Sequence, residues 1–138
     1  MSCYVVLDTN VLVSALLTSN DEAATVQVVT KLLAGEIVPL YSNYIIEEYK
    51  DVLNRKKFGL PTELVDYLVS AIEKFGILVE NVPSNLTLPD MKDVPFYEIV
   101  LEKREDNAYL VTGNKKHFPK QFFVVTPREF LDILKSKN

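Results

Sequence analysis

Val5-Val6-Leu7-Asp8-Thr9-Asn10-Val11-Leu12-Val13-Ser14 puts an aspartate where one apolar run ends and another begins. Residues 3–7 show no polar alternation and contain Tyr4, Val5 and Val6, so they read as a strand buried on both faces. Residues 10–17 then follow a helical pattern, which makes the stretch the opening of a βα unit. The alternation continues down the chain. Asp21 is expected to cap a second helix, with Ala24, Val28, Leu32 and Leu33 on one face and Gly35 as its stop. Residues 37–41 read as a strand and 43–55 as a helix. Residues 62–75 read as a clearer helix, with Leu64, Leu68, Ile72 and Phe75 at helical spacing, and 77–79 as a brief strand. Residues 81–95 contain Pro83, Pro89 and Pro95 and read as a loop. Phe96, Ile99, Val100 and Lys103 form a helical stripe, and 108–112 and 122–125 read as strands. Thr126-Pro127-Arg128-Glu129 is a capping box with proline at the first helical position, opening a last helix through Ile133 and Leu134. Strands alternating with helices predict an α/β fold with a central parallel sheet covered on both faces, three layers α/β/α.

The bulk properties bound the function. The 138 residues make one domain spanning 1–138, and 48% hydrophobic residues against 25% charged allow a real core. One cysteine, Cys3, excludes an internal disulfide and fits a reducing cytosol. No basic leader stands before the first strand and no apolar run approaches roughly 18 residues. The expectation is a cytoplasmic protein with no secretory signal and no membrane span. A net charge of −4 argues against a general nucleic-acid binder, so any such contact has to come from local basic clusters.

The acids are the most informative polar residues. Functional groups of open α/β sheets gather at the carboxyl ends of strands. Asp8 follows the first strand directly and is either a helix cap or a ligand. Glu48 lies within the stripe of Ile45, Tyr49 and Val52, where a carboxylate is costly unless paired or bound to a cation, or else reaches water at the stripe's edge. Asp93 precedes a helix and reads as an N-cap or a ligand, while Asp90 reads as solvated. Asn114 follows the strand 108–112 and occupies a strand end like Asp8, as a turn residue or a ligand. An α/β fold can bring Asp8, Glu48, Asp93 and Asn114 to one strand-end cleft. Oxygen donors without Cys or His favour Mg²⁺ or Mn²⁺ over zinc.

The opening stretch resembles the first motif of PIN domains. Ser42 to Lys57, with Glu48 and the ending Val52-Leu53-Asn54-Arg55-Lys56-Lys57-Phe58, is similar to the second motif of a toxin subfamily. Asp90 to Phe96 and Tyr109-Leu110-Val111-Thr112-Gly113-Asn114-Lys115 are similar to the third and fourth. The resemblance implies a metal-dependent endoribonuclease, a VapC-like toxin component of a toxin–antitoxin pair, with Asp8, Glu48 and Asp93 as metal-site acids. It also implies an RNA substrate, a cognate antitoxin and a homodimer, for which the aromatic surplus of Tyr44, Tyr67 and Phe75 is independent support. The family's fourth position is often Asp and here is Asn114, which brings an oxygen but no charge.

The remaining signals are weaker. His117, the only histidine, reads as a surface residue, with a substrate contact as the alternative. Lys56, Lys57, Lys115 and Lys116 read either as a solvated face or as RNA contacts. A non-catalytic PIN module binding RNA or a protein partner is the second functional reading. A phosphohydrolase or receiver domain with Asp8 as nucleophile is a third, but the haloacid-dehalogenase pattern wants a second aspartate where this chain has Asn10.

Overall fold

Five short strands carry the fold: β1 (Tyr4–Leu7), β2 (Val38–Tyr41), β3 (Ile77–Leu78), β4 (Tyr109–Val111) and β5 (Val124–Val125). In the computed structural model, which describes residues 3–137, they form one sheet in the order β3-β2-β1-β4-β5, parallel throughout. Register is set from the middle, Tyr4 facing Val38 on one side and Leu7 facing Val111 on the other. Val5, Val6 and Leu7 are buried, as the uninterrupted apolar run requires of a central strand.

The strands are joined by α1 (Thr9–Leu17), α2 (Ala24–Leu33), α3 (Asn43–Leu53), α4 (Thr62–Phe75) and α5 (Val94–Glu102), and α6 (Pro127–Ser136) follows the last strand. The three-layer α/β/α arrangement is therefore as expected. The capping box of α6 is complete: Thr126 Oγ1 accepts from the Glu129 amide and Glu129 Oε1 from the Thr126 amide. Gly35 stops α2 in the left-handed region at φ 74°, while Glu36 N–H closes back on Lys31 O.

Local details differ from the sequence reading. Asp21 caps nothing; α2 starts after Ala23, and the turn before it is built on Asn20, whose Oδ1 accepts from the Glu22 amide. The buried face of α4 is Val65, Leu68, Val69, Ala71 and Ile72; Leu68 and Ile72 lie on it as expected, while Leu64 lies outside and Phe75 is half-buried at its edge. The last strand is shorter than expected, leaving Phe122 exposed before it. Within the proline-rich loop, Met91–Asp93 forms a 3-10 turn that runs into α5, and buried Glu98 of that helix accepts from the Ser84 amide, pinning the loop. The expectation that no leader precedes the first strand concerns Met1 and Ser2, which lie outside the described residues. Among the described residues no helix is long and apolar enough to cross a membrane.

Gly76, where α4 turns into β3, has no room for a side chain: a Cβ there would run into the carbonyl oxygens of Pro39 and Ile72. Gly76→Ala is expected to cost about 1–3 kcal/mol, as overpacking does. The readout is a lower urea midpoint at unchanged m; an unchanged midpoint would mean the contact yields freely.

Candidate active site

The strand order reverses at β1, with β2 on one side and β4 on the other, so a crevice opens at the carboxyl ends of β1 and β4. Asp8 stands at that point. Its amide donates to Val111 O at 2.9 Å, which continues the ladder one residue past the strand. Its backbone is at the N-cap position of α1, yet its side chain caps nothing. The carboxylate turns into the crevice instead, where Oδ2 accepts from Thr112 Oγ1 at 2.7 Å and Asn10 Nδ2 at 3.1 Å. Only 5% of Asp8 is exposed. Burial pushes its pKa up and the Glu48 charge adds to this, while the Thr112 hydroxyl and His117 oppose it.

The same polar groups brace the loop after β4. Thr112 Oγ1 accepts from the Asn114 amide at 3.0 Å, and Asn10 Oδ1 accepts from the Gly113 amide at 3.2 Å. Thus the first and fourth motifs, a hundred residues apart in the chain, are one hydrogen-bonded unit.

Glu48 reaches the crevice from α3. Ser42 caps that helix through the Ile45 amide, and Ile45, Tyr49 and Leu53 bury its inner face. Tyr49 donates to Leu7 O at 2.5 Å and packs its ring at a tilt on Phe96, 6.2 Å between centroids. Glu48, one residue earlier, is half-buried and accepts from Thr9 Oγ1 at 3.3 Å. Burial and the nearby Asp8 and Glu48 charges push the Tyr49 phenol up, so it stays a hydrogen donor.

Asp93 arrives from the turn before α5. It also stands at an N-cap position and its side chain also does not cap. Oδ2 is buried and lacks a hydrogen-bond partner; His117 Nδ1 is 3.5 Å away, too long for a good bond. Burial and the charges of Asp8 and Asp90 push its carboxyl up to about 6, against the pull of His117. Asp90 is exposed and accepts from the Lys92 amide. Tyr44 forms part of the rim, its phenol raised by burial and by Glu48, Asp90 and Asp93.

His117 is half-exposed but not a bystander. Its Nε2 lies 3.0 Å from Asn114 Nδ2. An amide nitrogen only donates, so the neutral ring carries its hydrogen on Nδ1, facing Asp93. The side-chain amide of Asn114 therefore binds His117, while its backbone N–H goes to Thr112 Oγ1.

The structure brings Asp8, Glu48, Asp93 and Asn114 to one crevice. Among the described residues no three Asp, Glu, His or Cys side chains are already arranged round a point as metal ligands. Their chemistry nonetheless fits a hard cation: the donors are oxygens, Asp8 is buried, and Asp93 keeps a buried oxygen without a donor. Asp8, Glu48 and Asp93 would hold such an ion.

A family model described as PIN domain matches residues 4–116. The chain belongs to the PIN-domain family. No curated protein and no solved structure matches it. The matched segment spans all four motifs and ends just before His117. Thr9, Asn10 and Thr112 lie inside those motifs, but nothing in their spacing says that they hold the acids. Lys115 pairs with Glu129 at 3.1 Å. Lys56 and Lys57 sit on a 3-10 turn after α3, with Lys57 Nζ 5.1 Å from the Phe58 centroid, and no hydrogen bond or ion pair to the site acids is found for them among the described residues.

Two outcomes are expected. Asp93 has its ordinary value of 3.8 raised to about 6, so the protonated form favours the fold, and metal-free stability falls as pH rises through that window. Tm of the metal-free protein should drop between about pH 4 and pH 6.5, less so in Asp93→Asn, while Mn²⁺ affinity climbs over the same range as the ion displaces the proton. A flat affinity across that range would remove Asp93 from the ion's ligands. Separately, Asn114→Asp adds a negative charge and should tighten Mn²⁺ binding several-fold in calorimetric titration; identical affinities would put this side chain outside the ion's field.

Proposed function

We propose that this PIN domain is a Mg²⁺- or Mn²⁺-dependent endoribonuclease and the toxin half of a toxin–antitoxin pair. One observation carries the nuclease reading: three carboxylates from distant segments lie within electrostatic reach of one another at the switch point, and one of them, Asp93, keeps a buried oxygen without a hydrogen-bond partner. PIN domains are generally metal-dependent nucleases, which agrees with this reading. A bound divalent ion would neutralise phosphodiester charge and lower the pKa of an attacking water.

The chain's own residues account for the rest. Thr112 and Asn10 hold Asp8 by one oxygen, and Thr9 holds Glu48. Both acids therefore arrive pre-oriented, so little reorganisation is needed on substrate binding. His117 keeps a hydrogen on Nδ1 beside Asp93, a group able to donate to a phosphate oxygen or steady the carboxylate. The site is more acidic than its surroundings, so substrate phosphates need help from Lys116 and from Lys115 when it leaves Glu129. Lys56 and Lys57 are further contacts in this reading if the RNA runs along α3.

The toxin assignment rests on the second-motif resemblance of residues 42–57. With it go a cytoplasmic location, a cognate antitoxin and a homodimer. Tyr44 and Tyr67 are exposed and available to a second copy, whereas Phe75 is half-buried beside Gly35. A short neighbouring reading frame encoding a DNA-binding or disordered protein would support the pairing, and sedimentation as a monomer at high concentration would count against the dimer. The reading with no catalysis, a PIN module that binds RNA or protein, is favoured by one observation, the Asn114 amide tied to His117 where the family often has a carboxylate.

Asp8→Asn separates the two. Wild type is expected to cut RNA slowly in Mn²⁺ and not in EDTA, and Asp8→Asn to lose at least a hundredfold in rate, about what removal of a principal electrostatic group costs. Wild type that binds RNA without cutting it in any divalent ion would leave the binding module as the function.

A further inference from the structure

Past the end of the family match the chain builds a second concave surface. A groove of about 740 Å³ is lined by Lys115, Lys116, Phe118, Lys120, Gln121 and Phe122, with β5 as its floor. Most of this wall comes from residues 117–129, outside the matched segment 4–116. Three lysines against one glutamate make it basic in a chain whose net charge is −4. Glu129 pairs with Lys115, and no ion pair is found for Lys116 or Lys120 among the described residues.

Phe122 is the telling residue. It is 73% exposed, the highest value among the exposed large hydrophobic side chains of the described residues. The ring is nevertheless fixed: Phe123 meets it edge-on with centroids 5.6 Å apart, and the Arg104 guanidinium lies 4.9 Å from its centroid. Arg104 is held in turn by Phe123 at 4.5 Å and by its bond to Ala108 O. An exposed ring already held in position loses little entropy when a flat partner stacks on it. The groove and the acid site also share one short turn. The 3-10 turn Lys115–His117 gives Lys115 and Lys116 to the groove and turns His117 towards Asp93.

We infer that this groove is a nucleotide subsite, taking an unpaired base next to the scissile phosphate onto the Phe122 ring and the adjoining phosphates onto Lys116 and Lys120. It deepens the nuclease reading above and rests on it. The substrate class it selects is single-stranded RNA, because a base within a duplex is already stacked and offers no free face. An acidic protein segment is the rival occupant of a basic groove beside an edge strand. The turn shared with the carboxylate site favours the nucleic acid, since it sets Lys115 and Lys116 next to His117, which faces Asp93.

The test is fluorescence anisotropy with a labelled oligouridylate of about a dozen nucleotides, near the upper site size of a single-strand binding groove, and an RNA duplex of equal length, in EDTA and in Ca²⁺. Phe122→Ala should weaken single-strand binding about tenfold, the scale of one lost base stack, with Phe122→Tyr within about twofold and the duplex unaffected. Lys116→Ala with Lys120→Ala should reduce the salt slope by about 1.4 units, two single-strand phosphate contacts. Phe122→Ala binding like wild type, or losing equally on duplex, overturns the groove while leaving the nuclease reading standing. An oligoglutamate peptide that binds only when Phe122 is present, with RNA binding indifferent to it, overturns the groove in favour of a protein partner. Wild type that neither binds nor cuts RNA removes both readings together.

Discussion

The hydroxyl of Tyr49 bound to the carbonyl of Leu7 is the contact on which the site's geometry depends. It fastens the middle of α3 to the end of the central strand, and its ring is covered by Phe96 of α5. Three elements that each position an acid, β1 followed by Asp8, α3 carrying Glu48 and α5 preceded by Asp93, are thereby locked to one buried side chain. A buried phenol left without a partner costs about 1–3 kcal/mol, so the hydrogen bond fixes one rotation of α3. That rotation sets Glu48 towards the crevice and leaves Glu47 exposed.

Assembling these acids works against stability. Asp8 and Asp93 are both raised by burial and by their neighbours' charges. The fold offsets part of this with neutral donors, Thr112 and Asn10 on Asp8 and Thr9 on Glu48. Asp93 receives no such donor, only His117 at a distance. A protein that needed only stability would replace such a group; a cluster kept with an unsatisfied oxygen is the pattern of a site shaped for a ligand. Asn114 belongs to the same electrostatic scheme, setting the histidine's tautomer instead of adding another repelling charge.

The chain beyond β4 adds what the shared motifs do not contain. After Asn114 the backbone makes one tight turn, and the segment that follows supplies basic and aromatic side chains rather than acids. The molecule thus holds an acidic crevice and a basic, aromatic groove on either side of a single three-residue turn. A negative site suits a cation, and a positive wall beside it suits the anion that cation would act on.

The sequence by itself determined the layered α/β architecture, since uninterrupted apolar runs alternating with helical stripes have few other ways to be buried. It determined α4 and the capping box of α6, where the signals are local. It also singled out Asp8, Glu48 and Asp93, because acids at strand ends or inside an apolar stripe stand out against their surroundings. Where local signals were ambiguous, the tertiary structure decided. Asp8 and Asp93 occupy N-cap positions, and only packing across the sheet shows their side chains turned away from the cap. Asp21 had the right chemistry for a cap but not the place, since α2 begins after a turn built on Asn20. Thr112 and His117 acquire their roles from residues about a hundred and about two dozen positions away, Asp8 and Asp93. A hydrogen bond between distant segments leaves no periodicity in the chain, because it depends on where two loops meet and not on the order of neighbours.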